Sequence, residues 1–157
     1  MEEIYESLFS SSRFFAEQLA GLVLPEVPEE GPWLVVVGPN QEVRTDDWPR
    51  FQQVFPDPQV LFSYCERIDD GQDPVLGAIG KGCLIGSELY TERLNAGYLF
   101  VILPDYSPAT AQTNLGILEL FFAEMRLLCS LLDKNNQLHH LHLNHLSRTS
   151  PILGKHS

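Results

Sequence analysis

The segment from Gly82 to Leu146 constrains this chain most: two apolar, strand-like runs about a turn, then one long helical pattern carrying two apolar seams. Leu118, Phe121, Met125, Leu128 and Leu132 recur at steps of three and four, while Ile117, Leu120, Leu127, Leu131, Leu138 and Leu141 form a second series. A helix on the outside of a compact domain has one stripe to bury. Two stripes therefore predict that one lies on the chain's own sheet and the other on a partner helix. The homodimer interface is assigned to Leu118, Phe121, Met125, Leu128, Leu132 and Leu138, in a parallel pair. Asn135, His139 and His142 continue the first seam in register, so its far end turns polar where the helix is expected to project beyond the body.

With 157 residues, 44% of them apolar, the chain is long enough for one domain with a real core and short for two. Its formal charge of −11 opposes contact with nucleic-acid phosphates or anionic lipid. The acids gather early, at Glu26, Glu29, Glu30, Asp46, Asp47, Asp69, Asp70 and Asp73, as solvated loops do. Cys65, Cys83 and Cys129 form no CxxC pair and sit in apolar contexts, the usage of buried thiols in a reducing compartment. No apolar run reaches the roughly 18 residues that span a bilayer, and Met1-Glu2-Glu3 does not open a signal peptide. These features predict a cytoplasmic chain with no membrane role.

Residues 1–24 read as an N-terminal amphipathic helix, with Ile4, Leu8, Phe15, Leu19 and Leu22 on one stripe, ending near Gly21. Pro25, Pro28 and Pro32 then make a semi-rigid connector. Residues 33–104 read as the sheet core. Trp33 to Val37 and Glu42 to Thr45 form a strand, turn and strand, and Asp46 or Asp47 caps a brief helix through Phe55. Gln59 to Ile68, rich in apolar and aromatic residues, is assigned to a strand, a short helix being the alternative. Glycines at 77, 80, 82 and 86 mark Val75 to Leu89 as strands with bends. Gly97 to Leu103 is apolar on both faces and should be a central strand. Ser107-Pro108 opens the exit helix, residues 107–146, and residues 147–157 form a tail or the start of a linker. The fold expected is α+β: an antiparallel sheet of five or six strands flanked by an N-terminal and a long C-terminal helix.

His139, His142 and His145 could place two imidazoles on neighbouring turns, but no HExxH and no nearby carboxylate completes a metal site, and polar coiled-coil positions explain them as well. Gly77-Ala78-Ile79-Gly80-Lys81-Gly82 lacks the spacing and hydroxyl residue of a P-loop, so a glycine-permitted turn is the better reading. Asp69-Asp70-Gly71-Gln72-Asp73 lacks the ligand alternation of an EF-hand. Cys65, Cys83 and Ser87 would each need an adjacent base to act as nucleophiles, yet every histidine lies at or beyond His139. The chain is read as a non-enzyme, and no cofactor is identified. A ligand pocket would be a mostly apolar cavity on one sheet face, with Phe62, Tyr64, Cys83, Ser87 and Tyr98 as its candidate lining and plain core packing as the alternative.

Gly82-Cys83-Leu84-Ile85-Gly86, the turn into Ala96-Gly97-Tyr98-Leu99-Phe100-Val101-Ile102, and Leu115 to Leu132 together resemble the closing hairpin and exit helix of a GAF domain. The resemblance runs over roughly Gly82 to Leu138, and PAS sensor domains share much of the pattern. It implies a cytosolic bacterial signalling input domain that pairs through flanking helices, holds a small molecule against one sheet face and passes a signal along its exit helix. Many such domains serve only for dimerisation. Neither the Asn-Lys and Phe-Asp-Glu signature of cyclic-nucleotide binders nor a Cys-His pair for bilin attachment is present. Ser150 to Ser157 is similar to the opening of the ATPase module in sigma-54-dependent activators, which implies an output module; a phosphodiesterase, kinase or cyclase would serve equally. The resulting expectation is a signal-transduction input domain relaying through paired helices, with a ligand-free dimerisation scaffold as the alternative.

Overall fold

The computed structural model describes residues 2–23, 31–80, 82–90, 95–104 and 106–149. Most of the proline-rich connector, the turn at 91–94 and the tail from Ser150 lie outside the described residues, as do the side chains of Leu138, His139, Leu141, His142 and His145.

Five antiparallel strands form one sheet: β1 (Trp33–Val37), β2 (Val43–Thr45), β3 (Val75–Ile79), β4 (Gly82–Tyr90) and β5 (Asn95–Leu103), in the order β2-β1-β5-β4-β3. The expected α+β architecture is therefore present, with five strands. β5 is central, as its apolar character on both faces required: Leu99, Val101 and Leu103 enter one core and Phe100 and Ile102 the other. Gly97 has φ +103 where β5 passes β1, and a side chain there would strike the Val37 carbonyl, so the close approach requires glycine.

Helices cover both sheet faces. α1 (Glu2–Val23) and α5 (Leu115–Thr149) lie on one face, where Leu8, Ala16, Leu118, Phe122, Met125 and Cys129 pack with Leu34, Val36, Cys83, Ile85 and Val101. The Ser12 hydroxyl donates to the Met125 sulfur at 3.0 Å, fixing α1 against α5. Among the described side chains of α1, Leu8, Ser12 and Ala16 are buried; Leu8 lies inside as expected, Phe15 stays exposed, and Ile4, Leu19 and Leu22 lie outside the described side chains. On the opposite face, α2 (Trp48–Val54) and α3 (Gln59–Asp69) pack Phe51, Leu61, Cys65 and Ile68 on Trp33, Val35, Leu84 and Phe100.

The caps behave as their residue types dictate. Asp47 accepts from the Arg50 amide at 3.1 Å to begin α2, and Ser107 accepts from the Thr110 amide at 3.1 Å to begin α4 (Pro108–Thr113). The exit helix is not continuous. It breaks at Asn114, whose side-chain amide donates to the Thr110 carbonyl at 2.9 Å, and α5 begins at Leu115.

Gln59 to Ile68 is a helix, α3, and not a strand. Leu61, Cys65 and Ile68, at steps of four and three, make one buried face, and the Asp57 carboxylate accepts from the Gln59 amide at 3.0 Å at its start. Helical spacing prevailed over the strand preference of the individual side chains.

Candidate functional site

The five residues expected to line a ligand pocket do not converge. Cys83 and Ser87 point toward α1 and α5, whereas Phe62, Tyr64 and Tyr98 pack on the α2 and α3 side, with the sheet between them. Phe62 and Tyr64 sit on α3, not in the sheet. The Tyr64 ring lies over Gly77, where any side chain would overlap it. The Tyr98 hydroxyl donates to both Asp69 carboxylate oxygens, at 2.7 and 2.9 Å. Burial first, then the hydrogen bond to Asp69 and the charge of that carboxylate, raise the Tyr98 pKa above its ordinary value.

Ser87 opens onto a cleft. The space of about 300 Å³ is lined by Asp73, Pro74, Ser87, Tyr90, Glu119, Phe122 and Arg126, between the end of α5 nearest the sheet and the β3–β4 side. Arg126 donates to the Ser87 hydroxyl at 2.9 Å, the hydroxyl donates in turn to the Asp73 carboxylate, and the guanidinium lies over the Tyr90 ring at 5.6 Å. This is a polar clamp tying α5 to β4, with a cation placed to hold an anionic or polar group.

Glu119 and Arg126 are not among the residues the sequence points to, and Asp73 appears there only as part of an acidic loop. The signal available was Arg126 itself, the one cation in the otherwise apolar and acidic run from Leu115 to Asp133.

The cysteines are packed, not poised. Burial pushes the Cys83 thiol up to about 12, and burial with the nearby Asp69 charge pushes Cys65 to about 12 as well. Among the described residues no three His, Cys, Asp or Glu side chains are grouped as a metal site requires. No helix among them is long and apolar enough to cross a membrane.

The two seams of α5 have distinct fates. Leu118, Phe121 and Met125, at 1%, 5% and 0% exposure, belong to the chain's own core, and Leu128 and Leu132 are half-buried, so the interface assigned to that seam is corrected: those side chains have little surface left to give a partner. The second seam is the open one, with Ile117, Leu120, Leu127 and Leu131 exposed by 42%, 60%, 61% and 57%.

Comparison with protein-family models, with curated proteins and with solved structures gives no match to this chain.

Proposed function

We propose that this chain is a cytoplasmic regulatory input domain, GAF-like as its sequence resemblance implies, that self-associates through the outer seam of α5 and passes a signal along that helix to an attached output module. One observation carries the reading. The same helix bears the cleft residues Glu119, Phe122 and Arg126 on one flank and the open apolar seam on another, with Arg126 and Leu127 adjacent in the chain. A small molecule with an anionic or polar group that engages Arg126 would compete with its bond to Ser87 and so favour a different placement of α5. A shift of a packed helix is a recognised means of altering how it meets a partner. The order of helix, antiparallel sheet, final hairpin and long helix supports the sensor reading. The reading gives the chain no catalytic role.

A ligand-free scaffold is the second reading, and one feature favours it: Ser87, Asp73 and Arg126 already satisfy one another. A thermal-shift panel of nucleotides, haem and small anionic metabolites separates the two. A sensor's ligand raises the melting temperature by mass action and loses that effect in Arg126→Ala. A scaffold responds to none of them while still self-associating.

A further inference from the structure

The partner fitted by the open seam is a second copy of this chain in the reverse direction: we propose that two α5 helices pair antiparallel about a two-fold axis at the level of Cys129, with Glu124 of each copy facing Lys134 of the other. The arrangement rests on the self-association proposed for α5 and replaces the parallel pair expected from the sequence.

Ile117, Leu120, Glu124, Leu127, Leu131 and Lys134 are all exposed and follow alternating steps of three and four, the spacing of a two-helix seam. In the sequence Leu138 and Leu141 continue the series, and the α5 backbone is helical to Thr149. Read backward, the series of steps is the same as read forward, so an inverted copy lies in register with the original. About Cys129, Leu127 then meets Leu131, Leu120 meets Leu138, and Ile117 meets Leu141. A two-fold interface makes each of these contacts twice.

The charges decide the direction. Glu124 and Lys134 are the two charged members of this series, and they stand at equal distances on either side of Cys129. Neither takes part in an ion pair among the described residues. In a parallel, in-register pair Glu124 would face Glu124 and Lys134 would face Lys134, two like-charge layers within the seam. In the antiparallel pair each is matched by its opposite. Ala123 and Ser130 flank the series with small side chains near the axis, which allows the two backbones to come close there.

A nitroxide on Gly116→Cys in the full chain reads the direction, because nothing lies within 4 Å of a Cβ built at that position. Cys65, Cys83 and Cys129 are buried, and the unsubstituted chain is the labelling control. Antiparallel pairing places residue 116 opposite residue 142, so at about 1.5 Å per residue the two labels sit about 40 Å apart, against about 10–15 Å in a parallel pair. Charge reversal gives an independent readout: Glu124→Lys or Lys134→Glu alone should weaken the dimer by about tenfold or more, and the double exchange should recover most of it. Glu124→Lys also moves the net charge toward neutrality, which by itself would favour association, so weakening cannot come from overall charge. A dimer with the short distance, or a double variant that recovers nothing, overturns the antiparallel register and leaves self-association standing. A chain that sediments as a monomer at tens of micromolar, or that pairs only with a different protein, overturns the self-association beneath it.

Discussion

The Arg126 guanidinium donates from α5 to the Ser87 hydroxyl of β4 at 2.9 Å, and the hydroxyl donates its own hydrogen bond to the Asp73 carboxylate. Ser87 is 1% exposed, while Arg126 is half-buried and Asp73 exposed, so this contact joins the long helix to the sheet at the floor of the cleft. Ser87→Ala would remove the hydroxyl that links the guanidinium to the carboxylate, and because Asp73 is exposed and Arg126 half-buried water can replace it, a loss of about 0.5–1.5 kcal/mol. Urea unfolding should show it as a lower midpoint with an unchanged slope. Ser87→Thr, which keeps the hydroxyl, should lose less unless its extra methyl cannot be accommodated.

The thiols give a direct test of the packing. Cys65 and Cys83, both held near 12, and Cys129, raised by burial and then by the Asp133 charge, should stay unmodified by an aromatic disulfide reagent at pH 8. In denaturant all three should react rapidly. A thiol that titrates at once in the native chain would mean that its side of the core is open.

Glu88 sits where acids crowd. Burial first, then Asp69 and Asp73, raise its carboxyl above the ordinary value of 4.5, with Arg126 opposing. The folded chain thus holds this proton more tightly than the unfolded one, so the contribution of this group to stability is fully present below about pH 4.5 and falls as pH rises through the folded value. Glu88→Gln should accordingly raise the melting temperature at pH 7 by a few degrees at most, the charge being partly screened by solvent. The gain should vanish below the ordinary carboxylate range, which differential scanning calorimetry at pH 7 and about pH 3 would show.

Legibility in the sequence followed the strength of each local signal. β5 was readable because a run such as Tyr98-Leu99-Phe100-Val101-Ile102 has no exposed face, and the α2 and α4 starts were readable because Asp47 and Ser107 each precede a proline at an early helical position. α3 was misread because its three buried residues are interleaved with Val60, Phe62 and Tyr64, whose aromatic and branched side chains imitate a strand. The two seams of α5 were visible, but which of them faces the sheet was not. Spacing fixes the angle between the stripes, while the choice depends on shape: Phe121, Phe122 and Met125 fill the space beneath α1, where Ser12 meets Met125. The cleft was illegible for a similar reason. Asp73, Ser87 and Arg126 come from a loop, a strand and a helix, and only the tertiary fold brings them together.

Sedimentation velocity across a concentration series, comparing the native chain with Leu127→Glu/Leu131→Glu, tests the role of the open seam most directly. Both positions are exposed, so the paired substitution should leave the fold and its circular dichroism intact. The account predicts a native dimer at tens of micromolar and a monomeric double variant. A native chain that remains monomeric, or a double variant that dimerises as well as the native one, would contradict it.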